Sequence, residues 1–178
     1  MGYEIKFKDV EEQKIASIRV KTTLNKVPEK TRQLVEEATE YLTSQNVEPI
    51  GPPLAIYYEV GSFVVDFEVG FPVNVDMEGN ERVKPNTVPG GPIAYTVFEG
   101  KHIDIPDAHR TVHNWLHDNA VETSGDPARE VFLTDPRESG DEFWLKAESV
   151  WPIKPDQALS RADRRRRAKE QQKSPSSA

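Results

Sequence analysis

Polar and apolar positions alternate along much of the chain with two distinct periods. Lys14 to Thr22 alternates with period two, with Ala16, Ile18 and Val20 on one face, and predicts a strand. From Pro28 to Thr43 the period lengthens: Leu34, Val35, Ala38, Tyr41 and Leu42 fall on one stripe of a 3.6-residue repeat, so a helix is predicted there. Pro28 suits its first turn, because the missing N–H is not needed there. Two strands follow, Leu54 to Val60 and Ser62 to Val73, joined at Gly61. The same order then recurs, with a strand at Gly91 to Gly100 and a helix at Pro106 to Ala120. Strands at Arg129 to Thr134 and Glu142 to Ile153 complete it. The second helix carries the stripe Ala108, Val112, Trp115, Leu116 and Ala120.

The recurrence extends to individual residues. Ile15-Ala16, Pro28 and Arg32 are matched by Ile93-Ala94, Pro106 and Arg110, and Glu68-x-x-Phe71-Pro72-Val73 by Glu148-x-x-Trp151-Pro152-Ile153. These agreements predict an α+β fold of two duplicated β-α-β-β units, about 14–75 and 91–153, related by a pseudo-twofold axis. Each unit would present an antiparallel sheet with one helix, and a ligand groove would run between the halves. The domain is expected to span 1–155. Beyond it, 156–178 is a basic, polar tail, helical or disordered.

Strand alternation sorts the side chains by face. Phe143, Leu145, Ala147, Ser149, Trp151 and Ile153 are expected to face the helix, as are Phe63, Val65, Phe67, Val69 and Phe71. Glu148 and Glu68 then take matching places on the open face. Trp144 shares the face of Glu148, about 13 Å along the strand. Tyr57, Tyr95 and Phe132 are expected on that face too. Aromatic rings supply area and cation–π attraction, and a carboxylate supplies counter-charge, so the set suits a flat cationic guest. Simple solvation of a sheet-face carboxylate is the competing reading, and for Glu68 the stronger one.

Charge changes this picture in one respect. The net charge is −7, but the tail from Gln157 carries seven basic and two acidic residues, leaving the body at about −12. Such a body repels phosphate backbones and favours cationic partners. The run Arg164 to Arg167 could touch protein or nucleic acid, though a solvated tail fits it better. The chain has no cysteine, which removes disulfides and thiolate chemistry. No apolar run is long enough for a membrane span and no signal segment opens the chain, so a cytoplasmic protein is expected. His109, His113 and His117 recur at i, i+4 and i+8, but no carboxylate completes a metal motif, so they are read as exposed. No metal or cofactor is expected.

Two β-α-β-β units closing in Glu148-x-x-Trp151-Pro152-Ile153 resemble the GyrI-like small-molecule-binding domain, found in gyrase-inhibitory proteins and in the effector-binding domains of multidrug-sensing transcription activators. The resemblance implies a ligand role for Glu148, four residues before Pro152. It also implies an aromatic lining, for which alternation offers Trp144, Tyr57 and Tyr95. No helix-turn-helix segment precedes the domain, so a stand-alone binder of a hydrophobic, cationic or aromatic small molecule is expected. Some members of similar layout hydrolyse strained cyclopropane-bearing alkylators, which would make Glu148 a general base assisted by Tyr57 or Tyr95. A gyrase-inhibitor-like interaction protein, acting through its surface, is the third reading.

Overall fold

A computed structural model describes residues 3–155, and the expectation for the basic tail lies outside them. Eight strands form one curled antiparallel sheet. They are β1 (Lys6–Val10), β2 (Gln13–Thr23), β3 (Leu54–Val60), β4 (Val64–Pro72), β5 (Lys84–Val88), β6 (Gly91–Lys101), β7 (Ala128–Phe132) and β8 (Trp144–Pro152). The order across the sheet is β1-β6-β8-β7-β3-β4-β2-β5. The α+β class is as expected, but the two separate sheets are not. The β3–β7 ladder, with Leu54 opposite Val131 and Tyr57 opposite Ala128, joins both halves into a continuous surface.

The helices α1 (Val27–Ser44) and α2 (Ile105–Asp118) follow β2 and β6, each through a short helical turn. Each has proline in its first turn, as the sequence predicts. They also stop alike. Asn46 and Ala120 take positive φ of 55°, and Val47 and Val121 donate back to the carbonyls of Leu42 and Leu116 at 3.0 and 2.9 Å. That is a Schellman closure, which satisfies carbonyls the helix end leaves open. Ala120 therefore caps α2 instead of extending its buried stripe.

Both helices pack on the same face of the sheet. Leu34, Val35, Ala38 and Leu42 of α1 meet Val65, Phe67, Val69 and Phe71 of β4, while Val112 and Leu116 of α2 meet Ala94 and Ile153. The predicted stripes are thus the buried ones. Phe63 departs from expectation: it is 84% exposed, because β4 begins one residue later and Phe63 sits at the hairpin tip. Phe143 has φ of 54° and precedes β8, with the Arg32 guanidinium 4.2 Å from its ring centroid. The far face of the sheet is also partly covered, where Ile15, Leu54, Ile56 and Val88 form a smaller cluster.

Candidate functional site

Where the first turns of the two helices approach the β3–β7 seam, they leave a cavity of about 450 Å³. Its floor is Tyr57 of β3 and Glu130 of β7. Val27 and Pro28 of α1 form one wall, and Pro106 and His109 of α2 with Trp151 of β8 form the other. Leu24, Val60 and Ile103 also line it, and all three are exposed apolar side chains. Apolar and aromatic walls around a few convergent polar groups are the usual make-up of a small-molecule site.

Glu130 is the centre of that polar group, and only 2% of it is exposed. Its partner residues across the ladders are Ala55 and Ser149, both fully buried, so its side chain rises on the helix face. Tyr57 donates its hydroxyl to Oε2 at 3.0 Å, and His109 Nε2 lies 3.1 Å from Oε1. A carboxylate can only accept, so Nε2 of His109 carries the hydrogen. His102 brings Nε2 to 3.9 Å from Oε2, too far for a hydrogen bond, and that buried nitrogen has no other partner among the described residues. Tyr57 keeps its ring stacked on Phe67, with centroids 5.7 Å apart. Trp151 donates its indole N–H to the carbonyl of His109 at 3.1 Å, which ties the wall of the cavity to α2.

The environment sets the protonation states. Burial, reinforced by the charge of Glu130 and its hydrogen bond, pushes the Tyr57 phenol well above its ordinary value, so it remains a donor. Burial pushes His102 down, and the pull of Glu130 in the other direction only partly offsets this, so the ring is neutral near pH 7. A buried carboxylate costs several kcal/mol unless donors surround it. Here two donors touch it, and the positive ends of two helix dipoles open on the same cavity.

The residues singled out in the sequence do not come together here. Tyr57 does reach the cavity, but from the helix face. Phe132 is also on the helix face, 1% exposed within the core and edge-on to His102 at 5.7 Å. Both expectations failed for one reason: β3 and β7 carry apolar residues on both faces, so hydrophobicity did not identify the helix side. Glu148, Tyr95 and Trp144 are on the open face as expected, yet none lines the cavity. Glu148 is held by Lys8 at 3.1 Å, and the same ammonium lies 4.3 Å from the Tyr95 ring centroid. Arg129, buried on that face, is a second cation near it. Trp144 is 52% exposed beside Glu99 and Lys146 in a separate shallow recess.

Glu68 is buried on the far face and fully engaged. Ser17 and Tyr58 donate to it, and the Asn86 amide reaches both oxygens at 3.0 Å. Burial, followed by the hydrogen bond and charge of Glu68, pushes Tyr58 up to about 12. The edge strand β5, which the sequence reading did not assign, supplies Asn86 and closes this cluster. Glu68 is thus neither solvated nor available to a ligand.

Sequence reasoning missed Glu130 and His102, and read His109 as exposed. The available signal was parity: Glu130 shares a face with Phe132, and His109 borders the α2 stripe. His117 is exposed, whereas His113 packs on Trp151 with centroids 4.9 Å apart. Among the described residues no group of three or more His, Asp or Glu side chains could hold a metal ion. Nor is any described helix long and apolar enough to cross a membrane.

Comparison with known proteins gives this cavity a context. In fold, the chain is similar to EcmrR in its DNA complex, with TM-score 0.74 and 14% identity over 85% of this chain. It spans 57% of that longer protein. The crystallised C-terminal domain of EcmrR aligns with TM-score 0.66 and 14% identity, over 86% of this chain and 99% of the domain. A hydrolase from Listeria innocua aligns with TM-score 0.59 and 11% identity, over 86% and 93% of the two chains. SAV2435, solved with bound tetraphenylphosphonium, aligns with TM-score 0.54 and 12% identity, over 85% and 94%. No curated protein sequence matches. Residues 3–154 match the GyrI-like small molecule binding domain, and the chain belongs to that family.

Proposed function

We propose that the cavity between the helix starts binds an apolar, aromatic cation, with the Glu130 carboxylate as its counter-charge. The observation that carries this reading is a carboxylate 2% exposed at the floor of an apolar, aromatic-lined cavity. Glu59 and Asp126 also line it, against Arg110, which is ion-paired with Asp107 at 2.9 Å. The two helix dipoles oppose a cation, but each by only about 0.3–1 kcal/mol. A cation meeting Glu130 gains about 1.5–3 kcal/mol from a charged hydrogen bond in such a site, and ring contacts add to that. The phosphonium cation bound by SAV2435 accords with this class of ligand. We also infer that the β2-to-β4 and β6-to-β8 blocks arose by duplication, since Pro28 and Pro106 flank the cavity from equivalent positions.

The test is a fluorescence titration with a rhodamine dye, following dye anisotropy and tryptophan quenching. Saturable binding with the dye recovered unchanged is expected, and Glu130→Gln should weaken it. Absence of saturable binding by the wild type would contradict the reading.

A hydrolytic role is the second reading, favoured by the contact of Glu130 with both Tyr57 and His109. A carboxylate so placed can take a proton from water while a phenol steadies the developing charge. A product heavier by one water distinguishes this outcome from binding alone.

A further inference from the structure

Among the described residues, two buried imidazole nitrogens of the cavity wall have no hydrogen-bond partner, His109 Nδ1 and, beside the Glu130 carboxylate, His102 Nε2. His102 sits at the start of the turn leading into α2, only 3% exposed, and lines the cavity. Its backbone N–H is satisfied by the carbonyl of Phe143 at 2.9 Å, and its ring packs edge-on against Phe132. Its Nε2, by contrast, is buried with no hydrogen bond, 3.9 Å from Glu130 Oε2. Leaving a buried polar atom unpaired costs about 1–3 kcal/mol, so such a gap favours whatever can bridge it. An atom bonded to both sides at ordinary hydrogen-bond length would subtend an angle of roughly 85°. Two N–H bonds on one tetrahedral nitrogen approach that geometry with modest bending.

From this we propose that the cavity is selective for protonated primary or secondary amines over permanently quaternary cations. One N–H of the ammonium donates to Glu130 Oε2 and the second to His102 Nε2. His102 is suited to accept because burial keeps its ring neutral, and in the Nδ1–H tautomer, which a donating ammonium selects, Nε2 is the bare nitrogen. A quaternary cation satisfies the charge of Glu130 but offers nothing to His102. It also displaces any solvent there without replacing its hydrogen bonds, which lowers affinity. His109 also has an unpartnered nitrogen, Nδ1, but its Nε2 points at Oε1, so Nδ1 faces away from the carboxylate and cannot share an ammonium with it. The inference rests on the cation reading of the site and adds the identity of the charged group.

Calorimetric titration at pH 7 with dibenzylammonium and with dibenzyldimethylammonium tests it, because the two share their rings and charge and differ in the N–H bonds. The wild type should bind the secondary amine about tenfold or more tighter. In His102→Leu that preference should shrink to about threefold or less. Equal or tighter binding of the quaternary cation by the wild type would overturn the proposal, whatever the fate of the variant. An undiminished preference in a folded His102→Leu protein would overturn the role of His102. If the wild type bound neither cation, while the rhodamine dye also failed to bind, the cation reading itself would fall. If only the dye bound, the cation reading would stand and the amine selectivity would be refuted.

Discussion

Tyr57→Phe removes one oxygen from the floor of the cavity and little else. The ring stays stacked on Phe67, and the lost group is the hydroxyl that donates to Glu130 Oε2 at 3.0 Å. A hydrogen bond to a charged partner contributes about 1.5–3 kcal/mol, and among the described residues His109 is then the one side chain left donating to the buried carboxylate. The variant should therefore be less stable by about 1.5–3 kcal/mol. For a domain of this size that lowers the melting temperature by about 3–12 °C. Urea unfolding followed by tryptophan fluorescence measures the change, with Tyr95→Phe on the far face as a control expected to stay within about 0.5 kcal/mol. The carboxylate, being less neutralised, should also bind a lipophilic cation more tightly in Tyr57→Phe. A stability loss below about 0.5 kcal/mol, with unchanged cation affinity, would refute the claim that the phenol holds Glu130 in place.

Two further outcomes follow from burial. Phe63→Ser at the exposed hairpin tip should leave stability within about 0.5 kcal/mol, whereas Phe67→Ala in the same hairpin should cost about 3–5 kcal/mol; chemical denaturation of both variants checks the contrast. His102 has a folded pKa below its ordinary 6.5, so the unfolded chain binds the proton more readily and stability rises with pH. That contribution is complete above about 6.5 and declines as the pH falls through that value, so thermal melts from about pH 7.5 to 5.5 should shift downward, and less so in His102→Leu. Asp66 and Asp135, which hydrogen bonds from Arg19 and Arg137 hold low, act only in the carboxylate range near about pH 4 and do not obscure the effect.

The elements were legible because their periods are clean. The α1 stripe and the β4 alternation each bury one face, and period alone identifies such segments. Legibility failed where burial is two-sided. In β3, Leu54 and Ile56 pack on the far face while Ala55 and Tyr57 face the helices, so a rule that assigns apolar residues to one side misplaces Tyr57. Phe132 failed for the same reason. A register shift between Tyr57 and Glu59 further breaks the alternation of β3. Glu130 shares parity with Phe132, but a glutamate in a short charged strand looks solvated, and its partner Tyr57 comes from 73 residues away. Glu148 was placed correctly by alternation, but alternation cannot show that Lys8, 140 residues distant, already holds it.

The most direct measurement is a pair of dye titrations on Glu130→Gln and Glu148→Gln, read against the wild type. If the cavity carboxylate is the counter-charge, Glu130→Gln should weaken the cation by about 10- to 150-fold, and Glu148→Gln should leave affinity within about twofold. The reverse pattern, with Glu148→Gln abolishing binding and Glu130→Gln sparing it, would move the site to the far face of the sheet and contradict the account.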